Sequence, residues 1–229
     1  MTLDCSERLH AVMARIRTAE VQFQRPLGSV GLLAVSKTQS AATIATVAAL
    51  GQRSFGENYL QETLIKITEL YDLNLEWHFI GSIQANKTRD IAKRFDWVHS
   101  VDRLKIAERL NMHRPNGLPP LNICLQLKMG NEPNVKHGLD LVDLSLVAKK
   151  IASLPRIRLR GLMAISNSTS ECANKREFFA RVRKLHERLV SDGFRLDTLS
   201  MGMSNDLEAA IAEGSTLVRI GTAIFGQRF

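Results

Sequence analysis

The sequence predicts an α/β protein of the TIM-type (β/α)8 barrel class, with an extra helix ahead of the first strand. Three observations carry that prediction. Eight short apolar runs of strand type alternate with runs of helical periodicity. The length, 229 residues, suits one barrel of the usual size of about 250 residues and is short for two domains. Glycine and hydroxyl residues follow the last two strand candidates directly, where barrels commonly bind phosphate. Residues 1–229 are therefore expected to form a single domain. An open, doubly wound sheet is the alternative, but no Rossmann glycine fingerprint follows the first strand, whose turn reads Ser36-Lys37-Thr38.

The strand candidates are Val30–Val35, Ser54–Gly56, Trp77–Ile80, Trp97–Ser100, Leu121–Leu127, Arg158–Met163, Thr198–Met201 and Thr216–Ile220. Helical periodicity covers Ala41–Leu50, Leu60–Tyr71, Ala85–Phe95, Leu104–Met112, Leu141–Leu154, Lys175–Leu189 and Asp206–Ala212, with Ser6–Phe23 as the additional helix. Ser6, Ser170 and Ser204 are candidate N-caps, and Asp102 is read as the cap of the helix that follows it. The Pro/Gly-rich stretch 114–120 reads as a loop, and no low-complexity segment divides the chain.

Hydrophobic residues make up 45% of the chain and charged residues 24%, the balance of a globular protein rather than a disordered one. No apolar run approaches the roughly 18 residues of a membrane span. The N-terminus is charged at once and lacks an apolar signal core, so a cytoplasmic protein is expected. Cys5, Cys124 and Cys172 are odd in number and lack metal-ligand spacing, which argues against a disulfide framework or a zinc site. Cys124, in an apolar stretch, reads as a core thiol. The net charge of +8 is spread along helices such as 175–188 without a basic block or an aromatic-interleaved motif. It favours anionic small molecules, with nucleic acid as the lesser alternative.

In a barrel the functional groups sit at the C-terminal strand ends. The first strand runs into Lys37. An amine at a barrel mouth, partly desolvated, has a lowered pKa and attacks aldehydes as the neutral form, the chemistry of a Schiff-base lysine. The plain alternative is a surface lysine at a loop start. Asn58 after the second strand is placed to hydrogen-bond a ring hydroxyl, while Glu57 is either an acceptor or a helix cap. His78 faces the interior, as a core or a functional histidine; Asn86 and Lys87 belong to the rim or the surface. After the seventh strand comes Met201-Gly202-Met203-Ser204, a hydroxyl next to a helix start, whose free amides suit an anion. After the eighth comes Arg219-Ile220-Gly221-Thr222 and a short helical stretch. A ligand with an aldehyde for Lys37 and a phosphate for Ser204, Gly221 and Thr222 satisfies both ends, and pyridoxal 5′-phosphate (PLP) has that form.

These residues carry a resemblance to a known family. Leu33-Ala34-Val35-Ser36-Lys37-Thr38, Phe55-Gly56-Glu57-Asn58-Tyr59, Trp77-His78-Phe79-Ile80-Gly81, Gln84-Ala85-Asn86-Lys87, Gly161-Leu162-Met163-Ala164-Ile165, Leu199-Ser200-Met201-Gly202-Met203-Ser204 and 219–226 resemble, in order, the pyridoxal phosphate homeostasis proteins. The resemblance implies a barrel like the N-terminal domain of alanine racemase, fold type III among PLP proteins. It implies a Schiff base on Lys37 and a role in buffering or supplying the cofactor without established catalysis. It implies cofactor contacts from Lys37, Asn58, Met201, Ser204, Arg219, Gly221 and Thr222, with Arg219 at either the pyridine nitrogen or the phosphate. Lys128 stands where the family pattern leads one to expect asparagine, and the loop 133–138 is one residue longer than that pattern.

The competing reading is a PLP-dependent amino-acid racemase. Racemases of this kind use a second-face tyrosine from a C-terminal β-domain, for which the chain leaves no room; its tyrosines, Tyr59 and Tyr71, lie in the early helical region. The expected partners are PLP and PLP-requiring apoenzymes, not nucleic acid or membrane, and the expected state is a monomer.

Overall fold

The computed structural model describes residues 4–129, 137–166 and 172–226. Its eight strands are all parallel and close into a barrel in chain order, with β1 paired to β8. They are β1 (Gly31–Val35), β2 (Ser54–Glu57), β3 (Glu76–Phe79), β4 (Trp97–Val101), β5 (Leu121–Gln126), β6 (Ile157–Met163), β7 (Thr198–Ser200) and β8 (Leu217–Ile220). Each boundary lies within a residue of the sequence-based one, because apolar runs buried on both faces leave little latitude.

The helices are α1 (Cys5–Gln22), α2 (Ala41–Ala49), α3 (Leu60–Glu69), α4 (Thr88–Arg94), α5 (Leu104–His113), α6 (Leu144–Ala152), α7 (Cys172–Ser191), α8 (Leu207–Ala212) and α9 (Thr222–Phe225). Two runs predicted as continuous helices open with a 3-10 turn, Ala85–Lys87 and Leu141–Asp143, and the predicted helix Leu60–Tyr71 ends at Glu69 ahead of a third, Tyr71–Leu73. Helices α2, α5 and α6 each bury the apolar stripe that their period predicts, such as Ile106, Ala107 and Leu110 of α5.

The capping expectations need correction. Asp4, not Ser6, caps α1: it accepts from the Glu7 amide, and Glu7 reaches back to the Asp4 amide, forming a capping box. Asp102 spends its carboxylate on the adjacent Arg103 guanidinium, and Arg103 occupies the cap position of α5. Ser204 lies in the turn before α8, whose cap position is Asp206. Ser170 falls outside the described residues.

Two glycines shape the C-terminal end of the barrel. Gly202 has φ +98°, and a Cβ there would stand 2.6 Å from the Cβ of Ala210, so only glycine permits this tight turn from β7 toward α8. A Cβ on Gly81 would overlap the backbone carbonyl of Asn58, so the absence of a side chain lets the segments after β2 and β3 touch.

Candidate functional site

The turn that presents Lys37 is held from below. The Ser36 amide donates to the Gly56 carbonyl at 3.0 Å, and Thr38, at φ +66°, donates its amide to Glu62 Oε1 at 2.7 Å. Lys66, buried on α3, donates to the Ser36 carbonyl at 2.9 Å, to Glu57 Oε1 at 2.7 Å and to Glu62 Oε1 at 2.5 Å. Ser36 Oγ also donates to Glu57 Oε1, at 2.7 Å. Glu57 is therefore an acceptor in this knot and not a helix cap. Burial pushes its carboxyl above the usual range, against the pull of Lys66 and Ser36. The three residues 36–38 are fixed by side chains of β2 and α3, and Lys37 projects half-buried above them.

Above the strand ends lies a cavity of about 320 Å³, within the size range of small-ligand sites. Lys37, Asn58, Ser204, Arg219, Gly221 and Thr222 all line it, together with apolar walls from Val35, Ile80, Met163, Ile165 and Met203. Six of the seven sequence-derived contact residues thus meet in one place. The seventh, Met201, does not: it is fully buried in the core, and its carbonyl accepts from Ser215 Oγ at 2.7 Å. The turn at Gly202, with φ +98°, breaks the strand's alternation and puts Met203 on the wall instead.

Besides Lys37, three polar features of the wall bear on ligand binding. Asn58 Oδ1 is buried and has no hydrogen-bond partner among the described residues, an acceptor left for a ligand's donor. At the other side, α9 starts at Thr222; Ile224 and Phe225 bond back to the Gly221 carbonyl, while the first two amides have no carbonyl within the helix to bond. The Thr222 and Ser204 hydroxyls stand nearby on the same wall. Arg219 is buried; its Nη1 donates to the Ser200 carbonyl at 2.5 Å and to Ser200 Oγ at 2.8 Å, and its Nη2 to the Ala164 carbonyl at 2.9 Å. Burial draws its pKa down to about 10, which leaves it charged at neutral pH. A lysine amine, an open acceptor, an anchored guanidinium and a hydroxyl-amide cluster fit a flat aromatic aldehyde bearing a phosphate.

Some of the machinery escaped the sequence reading. Asp206 lines the cavity, accepts from the Met203 amide at 2.5 Å and receives a short hydrogen bond from Ser166 Oγ, so it shapes the Ser204 turn. An aspartate opening a helix three residues after Met203 was the available signal. Arg15 of α1 donates to the Ser204 carbonyl at 3.1 Å and to both carboxylate oxygens of Glu208 at 2.9 and 3.0 Å. No local pattern marks that contact, because the partners are 189 residues apart.

Other candidates lie elsewhere. His78 is buried inside the barrel and bonded at both ring nitrogens, to Glu76 and His99, rather than lining the cavity. Asn86 and Lys87 sit in a 3-10 turn and Lys128 stands 3.6 Å from Asp140; none of these lines the cavity. Of the loop 133–138, residues 133–136 fall outside the described residues. Among the described residues no cluster of histidine, cysteine and carboxylate groups is arranged to hold a metal ion, and no helix is long and apolar enough to cross a membrane.

Comparison with known proteins agrees with this geometry. The family described as alanine racemase, N-terminal domain, matches residues 8–228. A pyridoxal phosphate homeostasis protein of Pseudomonas aeruginosa is 57% identical over 223 residues, covering 97% of this chain and 95% of that one. One from Escherichia coli is 48% identical over 228 residues, covering 98% and 97%. The structure of PipY from Synechococcus elongatus with PLP bound superposes with a TM-score of 0.85 at 39% identity, covering 97% of this chain and 100% of that one. Alanine racemase of Corynebacterium glutamicum, at 16% identity and a TM-score of 0.69, shares the barrel over 61% of its own length. This chain belongs to the alanine racemase N-terminal domain family and, within it, to the pyridoxal phosphate homeostasis proteins.

Proposed function

We propose that the chain binds PLP and serves in PLP homeostasis, holding the cofactor as a Schiff base on Lys37 and buffering or supplying it without catalytic turnover. The observation that carries this reading is the convergence of Lys37, the open acceptor of Asn58 and the Ser204–Gly221–Thr222 cluster on one cavity of about 320 Å³. The names of the relatives and the PLP bound to PipY support it.

Bound PLP supplies an electrophilic aldehyde and an electron-withdrawing ring. The protein supplies the amine at Lys37 Nζ, hydrogen-bond donors for the phosphate from Ser204, Thr222 and the start of α9, and an apolar wall against the ring. Arg219, charged and with no acceptor atom, disfavours protonation of a ring nitrogen placed against it and so limits carbanion chemistry. Racemisation needs a second acid-base group on the opposite face. Tyr59 and Tyr71 are 54% and 80% exposed and neither lines the cavity. In this reading the chain is a cytoplasmic monomer that yields PLP to apoenzymes requiring it.

The test is an absorption spectrum of the purified protein before and after borohydride, followed by peptide mapping. A visible band that borohydride removes, with a pyridoxyl group trapped on Lys37, is the expected result. A protein that fails to take up added PLP would remove the proposal, as would alanine racemisation at enzyme-like rates for its non-catalytic part.

A further inference from the structure

A continuous hydrogen-bonded chain of side chains runs through the barrel interior, from the end opposite the cavity to the cavity wall. It starts at Glu76, the first residue of β3, whose side chain is 45% exposed. Glu76 Oε2 meets His78 Nε2 at 2.9 Å; His78 Nδ1 meets His99 Nε2 at 2.9 Å; His99 Nδ1 meets Ser200 Oγ at 2.8 Å; and Ser200 Oγ accepts from Arg219 Nη1 at 2.8 Å. His78, His99, Ser200 and Arg219 are all buried, on β3, β4, β7 and β8. Only Arg219 of this series reaches the cavity.

Every proton in the chain can be placed. A carboxylate accepts and never donates, and Glu76 also accepts from Trp97 Nε1 at 3.0 Å and Ser54 Oγ at 2.8 Å. His78 Nε2 must therefore carry a hydrogen. With His78 neutral, its Nδ1 accepts, His99 Nε2 donates, and His99 Nδ1 accepts from the Ser200 hydroxyl. That leaves the Ser200 oxygen as an acceptor for Arg219, and every atom is satisfied. With His78 as imidazolium the bonds would reverse up to Ser200, whose proton would then face only His99 and Arg219, neither offering an acceptor. A buried hydroxyl proton without an acceptor is disfavoured. The neutral, one-way arrangement is the one the geometry permits.

We infer that Glu76, His78, His99 and Ser200 form a positioning relay that fixes the orientation of Arg219, so that a carboxylate at the closed end of the barrel governs how the guanidinium meets the ligand. Glu76, His78, His99 and Ser200 are not among the residues that line the cavity. The relay acts through one hydroxyl, whose lone pairs it turns toward Arg219. Networks of this kind polarise in series, so that removing a distant acceptor weakens each later bond. The inference deepens the PLP reading and rests on it for the choice of ligand.

The experiment has an arm that needs no ligand. In ligand-free protein labelled with nitrogen-15, the relay requires both His78 and His99 to show the neutral Nε2–H pattern at neutral pH. It also requires Glu76→Gln to shift the nitrogens of His99 and of the Arg219 guanidinium. An imidazolium, an Nδ1–H tautomer, or Arg219 signals indifferent to Glu76→Gln would overturn it. In the second arm, PLP binding is measured for Glu76→Gln and His99→Gln. Both are expected to weaken PLP affinity by about three- to tenfold, the scale of one weakened buried hydrogen bond, and to alter the visible band of bound PLP. Unchanged affinity and spectrum in the folded Glu76→Gln protein would overturn the relay even with PLP bound to Lys37. Should the unaltered protein bind no PLP, the PLP reading fails by itself and the tautomers and Arg219 signals still decide the relay.

Discussion

Lys66 Nζ lies 2.7 Å from Oε1 of Glu57, an ion pair with both side chains buried directly beneath the turn that carries Lys37. The pair is tied to that turn through the Ser36 carbonyl and hydroxyl. Breaking a buried pair by removing one partner strands the other charge, at about 3–5 kcal/mol. Lys66→Met is therefore expected to lower unfolding free energy by about that amount. The double change Glu57→Gln with Lys66→Met should cost less than Lys66→Met alone. Denaturant titration of the unaltered protein and the two variants measures both, and equal losses would show that the pair does not act as a unit.

Lys37 stands on a turn whose flanking residues, Ser36 and Thr38, are bonded to β2 and α3. Lys37→Ala is expected to keep the barrel folded, with a denaturation midpoint close to that of the unaltered protein, while abolishing borohydride-trapped pyridoxyl. A collapsed midpoint would make Lys37 structural.

Ser204 and Thr222 reach the same cavity from the turns after β7 and β8. Each hydrogen bond to a charged phosphate is stronger than a neutral one. The double Ser204→Ala, Thr222→Ala variant should lose about tenfold or more in PLP affinity, and more than either single change. Equal affinity of double variant and unaltered protein in a dialysis assay would remove these hydroxyls from the site.

Gly202→Ala forces a side chain onto a backbone at φ +98° and against Ala210. A cost of about 1–3 kcal/mol is expected from the backbone strain. PLP retention should fall as well, because Met203, Ser204 and Asp206 follow that turn. Retention intact alongside lost stability would show that the turn re-forms without its glycine.

Acid sensitivity follows from the interior histidine. Burial, with repulsion from Arg219, holds His99 well below the usual value of 6.5, so the unfolded chain binds a proton that the native chain refuses. The resulting stability is full above pH 6.5 and is lost as pH falls below it. Burial acts in the same sense on His186. Glu76, drawn to about 2 chiefly by its bond with His78, adds a loss between pH 4.5 and 2. Denaturation midpoints should thus decline below pH 6.5, and His99→Gln should flatten the upper part of that decline. A midpoint level from pH 7 to 5 would contradict the buried neutral histidine.

The barrel was legible because strands buried on both faces read as apolar runs, and the place of Lys37 just after β1 pointed to the cavity that it lines. The cavity side of β7 was harder to read. Met201 and Met203 are chemically alike, and only the course of the turn at Gly202 decides which one faces the ligand. The supports were not legible at all. Lys66 reads as an ordinary helix lysine until α3 is laid on β2, and Arg15 meets the Ser204 turn only when α1 packs beside α8. His99 sat in view within β4, but its bond to Ser200 joins residues 101 apart.

The cavity draws Lys37 from just beyond the first strand and Ser204, Gly221 and Thr222 from beyond the seventh and eighth, and β1 pairs directly with β8. Closing so long a loop is entropically costly and pays no contact energy until the last strand docks. On the ribosome, Lys37 emerges early and waits, while Ser204, Gly221 and Thr222 are synthesised much later. In the proposed mode of binding, cofactor capture therefore belongs to the finished, closed barrel, and a nascent chain that has not yet formed β8 has the amine but no pocket.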